Sequence, residues 1–343
     1  MTKIKGRLRT TLFKESFFRI LFLIAALTSI AAVLLICIFL FANGIPAMAK
    51  IGVFDFLFGT KWAPTNSEPS FGILPMILGS IYVTAGAALI GVPIGVLTAV
   101  YMARFCPPKL YRFLKPAVDL LAGIPSIVYG FFGLVVIVPL VRDSFDKGNG
   151  MCILTASVLL GIMILPTIIG VSEAAIRAVP QNYYEGALAL GATHERSVFF
   201  TVLPAAKSGV MAGVILGIGR AIGETMAVAM IVGNQARLPD SILKGVRTLT
   251  TNIVLEMGYA ADLHREALIA TAVVLFVFIL IINISFSLLK RRDPDRERKQ
   301  HGKFSRFVCR LRGKTCKKAA PAQDSVLFSA ALDEKNTQRK DAL

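Results

Sequence analysis

The chain has 343 residues, 55% of them hydrophobic and 17% charged, where a soluble domain carries about a quarter charged residues. That balance excludes an ordinary water-soluble domain and points to a membrane protein. The formal net charge of +17 suggests nucleic acid, but its placement argues against that reading: residues 290–343 hold 16 Lys/Arg against 7 Asp/Glu, and other basic residues flank apolar runs. No basic platform interleaved with aromatic residues is present, so nucleic acid is not an expected partner.

The first apolar run, 17–42, resembles a signal peptide with "AMA" at 47–49 as its cleavage site. It is far longer than the 7–15 residues of a signal core and reads as an uncleaved first span. Five more spans follow at about 73–103, 119–141, 152–176, 209–233 and 266–289. Each is long enough to cross a bilayer, where only a helix satisfies its own backbone. The expected fold class is therefore all-α, a polytopic membrane protein of six helices. Pro93 and Pro166 lie inside spans two and four and are expected to kink them, and Pro125 is expected to break helix three.

With the N-terminus inside, the inner loops collect about 13 Lys/Arg before the tail is counted, against about 8 outside. Both termini are thus expected in the cytoplasm. The parts are 1–16, a cytoplasmic lead; 17–290, the membrane domain; and 291–343, a basic cytoplasmic tail without folded pattern. Trp62 and Tyr82 are read as interface residues near the first outer loop, and Glu173 as an interface residue at the end of span four.

Cys37, Cys106, Cys152, Cys309 and Cys316 form no CxxC pair and read as isolated thiols. "RGKT" at 312–315 lacks the first glycine of a phosphate loop, since Val308 stands there. No other nucleotide loop, catalytic constellation or metal cluster is recognisable, so the expected cofactors are none and the chain cannot power itself with ATP.

The connection 177–208 reads "RAVPQNYYEGALALGATHERSVFFTVLPAAKS". Asn182 and Glu185 are spaced as a capping-box-like start, Gly191 suits a helix C-cap, and Thr193 can cap a second short helix. Two short helices about a glycine bend make a compact knob, with His194 expected to be solvated. Glu185, Ala187, Gly191, Leu203 and Pro204 then match the EAA loop of ABC-importer permeases, with Gly186 replacing an alanine and Thr201 an isoleucine of the pattern. The resemblance implies a type I importer permease fold and a loop that docks on a separate ATPase subunit. Tyr183, Tyr184, Ala187 and Leu188 would be the apolar anchors of a helix laid in a groove.

"FLFGTKWAPT" (56–65), "FGILPMILGSIYVT" (71–84), "LLAGIPSIVYGFFGL" (120–134) and "LPAAKSGVMAGVILGIGRAIGETMAVAMIVGN" (203–234) are similar to the phosphate-specific permeases of the PstC type. That resemblance covers about 17–290 and not the tail. It implies inorganic phosphate as substrate, and as partners a second permease (PstA-like), ATPase subunits (PstB-like) and an external phosphate-binding protein (PstS-like), with membrane lipid around them. The PstA type and permeases for sulfate or molybdate stay open as alternatives.

Span five carries Arg220 and Glu224 in an apolar setting, where a charge costs about 2.5–3.5 kcal/mol on insertion scales. At i and i+4 of one helix they are expected to share a face and neutralise each other. Arginine's planar fork suits phosphate oxygens. Arg220 is therefore the expected phosphate contact, with Glu224 holding it, and Ser126 and Tyr129 as further path-lining candidates. Glycines 209, 213 and 217, and again 219 and 223, have the small-xxx-small spacing of close helix packing.

Overall fold

The computed structural model describes the backbone of residues 2–145 and 148–292, and the side chains of 17–145 and 148–285. The expectations for the tail, Cys309, Cys316 and 312–315 lie outside the described residues. In chain order the helices are α1 (Thr2–Ile51), α2 (Val53–Phe58), α3 (Leu74–Val100), α4 (Pro108–Gly123), α5 (Ser126–Phe132), α6 (Val138–Phe145) and α7 (Ile153–Arg177). They continue as α8 (Gln181–Ala189), α9 (His194–Ser197), α10 (Leu203–Gly223), α11 (Met226–Ile231), α12 (Leu249–Glu256) and α13 (Asp262–Arg292). A two-stranded antiparallel hairpin, β1 (Trp62–Ala63) with β2 (Ser70–Phe71), pairs Trp62 with Phe71. Three segments wind as π-helix: Tyr101–Phe105, Gly133–Ile137 and Val198–Val202.

Among the described residues six helical stretches are long and apolar enough to cross a membrane: Phe17–Ile51, Leu74–Phe105, Ser126–Phe145, Ile153–Arg177, His194–Gly223 and Asp262–Ser285. The fold class is all-α, as the hydropathy runs predict, but several boundaries move. The first helix continues past residue 42, through Pro46, to Ile51. Residues 119–123 leave span three and end α4, a separate helix closed off at Ile124–Pro125. Span five begins at His194 rather than 209, because the π-turn 198–202 carries helical winding from α9 into α10 across Pro204. It stops at Gly223 rather than 233, because Glu224 is extended, with φ −70° and ψ 128°.

Helix α7 is the most buried span and packs against α3 on one side and α10 on the other. Both neighbours offer glycines. A Cβ on Gly91 would lie 2.8 Å from the carbonyl oxygen of Gly161, and one on Gly95 would lie 2.9 Å from Ile168. On α10, a Cβ on Gly209 would lie 2.3 Å from Ala175 Cβ, one on Gly213 2.8 Å from Ser172 Oγ and one on Gly217 2.6 Å from Ile168. Backbones approach this closely only where the side chain is a hydrogen. The second glycine set differs: Gly219 and Gly223 face open space within the chain.

The hairpin end holds its own core of Phe56, Trp62, Phe71, Ile73, Met76, Leu249 and Leu268. Trp62 is buried there and donates from Nε1 to Glu256 Oε2 at 2.8 Å. Glu256 also pairs with Arg247, and His264 Nε2 lies 2.8 Å from Glu256 Oε2. One buried carboxylate thus ties the β1 segment, α12 and the start of α13.

Candidate functional site

Arg220 sits in the last turn of α10, half-buried, where the negative end of the helix dipole favours a cation. Its guanidinium donates from an Nη to Thr167 Oγ1 at 3.3 Å. Thr167 lies on α7 directly after Pro166 and was not singled out in the sequence, where a threonine beside a proline carries no signal.

The expected Arg220–Glu224 pair does not form: no ion pair joins them among the described residues. The physical reason is the end of the helix. With Glu224 extended, its N–H turns back to Ala221 O at 3.4 Å and the i, i+4 register is lost. The Glu224 carboxylate instead accepts from the Ala227 N–H at 3.4 Å, at the start of α11. Its carbonyl accepts from Thr250 Oγ1 of α12 at 3.3 Å. Glu224 therefore braces the break in span five.

Opposite this break lies a second one. Pro125 is the N-cap of α5, and Ser126 is its first residue, half-buried. Tyr129 is buried and donates from its hydroxyl to Leu121 O at 2.9 Å, fixing the elbow between α4 and α5. Helices α5 and α11 are in close contact: a Cβ on Gly130 would lie 2.9 Å from Ala227 Cα. Glu224 and Tyr129 thus flank the packing of α11 on α5, with Arg220 one turn before Glu224 and Ser126 at the first position of α5. An open cleft of about 660 Å3 beside the elbow is walled by Pro116, Asp119, Leu120, Gly123, Ile124 and Pro125; Arg220 is not among its walls.

Glu173 is buried within the chain. It accepts from Tyr111 at 2.7 Å and Arg177 Nε at 2.8 Å, and Lys115 Nζ lies 3.3 Å away, so α4 is latched to α7. The hydrogen bond to this carboxylate, with burial, holds the Tyr111 hydroxyl above the usual phenol value.

The knob forms with one change at its start. Pro180, not Asn182, precedes the first turn of α8, and no side chain caps it. Its end is a Schellman motif: Gly191 N–H bonds to Leu188 O and Ala192 N–H to Ala187 O, with Gly191 at φ +82°. Only a residue without Cβ takes that φ without strain. Thr193 caps α9 through the Arg196 N–H. Glu185, Gly186 and Gly191 are exposed, Ala187 and Leu203 half-buried, and Pro204 exposed at the first turn of α10. Tyr183 and Leu188 point outward, and Leu190 is 90% exposed. Tyr184 turns inward to His194, which is half-buried rather than solvated.

Six apolar spans among the described residues, three of them joined through glycine seams and the fifth followed by a break, have the architecture of a helical membrane permease. The chain belongs to the family described as "Binding-protein-dependent transport system inner membrane component", whose model matches residues 91–292. It is 40% identical over 265 residues to the probable ABC transporter permease protein YqgH of Bacillus subtilis, covering 75% of this chain and 86% of that one. It is 35% identical over 279 residues to the phosphate transport system permease protein PstC of Mesorhizobium japonicum, covering 75% and 84%. Among solved structures, the inward-facing MetNI methionine ABC transporter matches with TM-score 0.52 and 21% identity over 64% of this chain and 95% of that one. A bacterial alginate ABC transporter matches with TM-score 0.53 and 17% identity over 77% and 94%. These likenesses establish the fold as that of ABC-importer permeases. The chain is a multi-pass inner-membrane transport component, and ATP hydrolysis belongs to a separate subunit.

Proposed function

We propose that this chain forms one half of the path for inorganic phosphate in a binding-protein-dependent importer, with Arg220 as the transient phosphate contact. The relatives named for phosphate transport give the substrate class. The observation that carries the residue assignment is Arg220 itself: a half-buried guanidinium at a break between spans, held by a neutral hydroxyl rather than a carboxylate. Thr167 orients the fork without cancelling its charge. The α10 carbonyl end, equivalent to about half a negative charge, tempers it. An anion can then displace the weak Thr167 contact and leave again, whereas a bare buried cation would hold it. Glu224 acts at one remove, by keeping span five broken so that Arg220 ends a helix. Ser126 and Tyr129 shape the facing elbow.

In this reading the knob 178–193 faces the cytoplasm, as do both termini, and docks through Glu185, Ala187 and the exposed Leu190 on a PstB-like ATPase. A PstA-like permease completes the path and a PstS-like protein delivers phosphate from outside. The test is uptake of labelled phosphate by the assembled importer, with sulfate and molybdate as competitors. Arg220→Gln is expected to abolish most uptake with assembly intact. Glu224→Gln, which keeps an acceptor for the Ala227 N–H, is expected to retain most of it. Normal uptake by Arg220→Gln would reduce the arginine to architecture. Equal competition by sulfate would remove phosphate as the preferred anion.

A further inference from the structure

We infer that His194 is a positioning residue, the joint through which movement of the knob reaches spans two and five. The inference rests on the reading of the knob as a docking element and adds how its displacement enters the membrane helices.

One imidazole touches three elements. His194 is the first residue of α9 and so opens span five. Its Nδ1 lies 2.8 Å from Tyr184 Oη of α8, and the two rings meet edge to face, 5.6 Å apart at 84°. Against it packs Phe105, the last residue of span two, with centroids 4.7 Å apart and planes at 71°. Phe105 also lies 6.3 Å from Phe199 of span five. Beneath this aromatic group is a buried apolar cluster of Ala99, Val100, Ile176, Val198 and Val202, to which Tyr184, Phe105 and Leu203 add their sides.

The two kinds of contact differ in what they transmit. Apolar surfaces slide over one another at little cost. A hydrogen bond weakens steeply off its line, and edge-to-face rings prefer one geometry, so both fix position. Elsewhere in the knob the buried Val179 joins the same apolar cluster, a contact without direction, while around Gly186 and Gly191 there is open space. Displacement of α8 therefore reaches the spans most directly through Tyr184, His194 and Phe105.

A second, independent feature lies at the same place. Both spans change from α to π winding where they meet the cluster. Cys106 N–H reaches back to Tyr101 O at 2.8 Å, and the Leu203 N–H reaches back to Val198 O. Each turn accommodates one residue more than an α-turn. Reverting to α winding shifts the following helix by about one residue, a rise of about 1.5 Å. A step of that size is what a joint between a moving knob and a packed bundle would use.

The experiment uses the complete importer in proteoliposomes with its external binding protein, and reads ATPase retention, ATP hydrolysis and labelled inorganic phosphate imported per ATP. In His194→Ala and Phe105→Leu the ATPase should be retained and hydrolysis kept. Phosphate per ATP should fall about tenfold, the size of an ordinary coupling between two sites. His194→Asn, whose amide offers both a donor and an acceptor near the Nδ1 position, should recover part of that loss. Wild-type phosphate per ATP in Phe105→Leu overturns the inference, whatever His194→Ala does, because Phe105 lies outside the knob. The docking reading fails separately: Glu185→Lys with its ATPase retained and coupling intact would sink that reading regardless of the joint.

Discussion

At the scale of single residues, the largest consequences follow from buried charge. Glu256 is nearly inaccessible and holds Arg247, Trp62 and His264 at once. Removing one member of a buried pair leaves the other uncompensated, which costs more than the pair itself contributes. Glu256→Gln is therefore expected to destabilise the chain by about 2–4 kcal/mol, with the partly exposed Arg247 moderating the loss. Replacing both, Glu256→Gln with Arg247→Met, should recover much of it. Denaturant unfolding in detergent measures this, and a single variant as stable as wild type would contradict the assigned role. None of this cluster was legible in the sequence, because Trp62 and Glu256 are 194 positions apart and nothing local marks their meeting. Arg220 and Glu224 were conspicuous as residue types. Their geometry was not, because counting i to i+4 presumes an unbroken helix, and the hydroxyl that holds the Glu224 carbonyl comes from Thr250.

At the scale of elements, the glycine seams decide how α7 is held. Gly209→Val places a branched side chain where even a Cβ would come within 2.3 Å of Ala175. Overpacking of that kind costs about 1–3 kcal/mol. Gly219→Ala meets open space in the same helix and should leave the chain's own stability unchanged or slightly raised. Thermal unfolding of the isolated chain separates the two, and equal midpoints would remove the seam as a determinant. The spacing of 209, 213 and 217 was legible, since periodic small residues are a local pattern. That 219 and 223 face away was not, because periodicity names a face and not its partner. The spans were legible because bilayer length imposes a run of apolar residues. Their breaks were not, and α4 was divided between a loop and a span because its apolar end merges with the next run.

At the scale of the whole molecule, the interrupted fifth span bears on how the chain is made. Its best window has a mean hydropathy of 1.7, against 2.9 for the first span and 3.0 for the last. It also carries Arg220, a charge that opposes entry into the bilayer. Glycine adds almost nothing to offset that. What the segment does have is a surface shaped to α7, which the ribosome has already delivered. During biosynthesis the fifth segment should thus enter the bilayer as a guest of the fourth, and seldom by itself. Protease protection of nascent chains ending at residue 261 tests this: with 153–177 exchanged for plain leucine and alanine, the fifth segment should largely fail to integrate, and unchanged integration would refute the dependence. A seam that reads as tight packing in the finished protein is, on this account, also the order in which the permease has to be assembled.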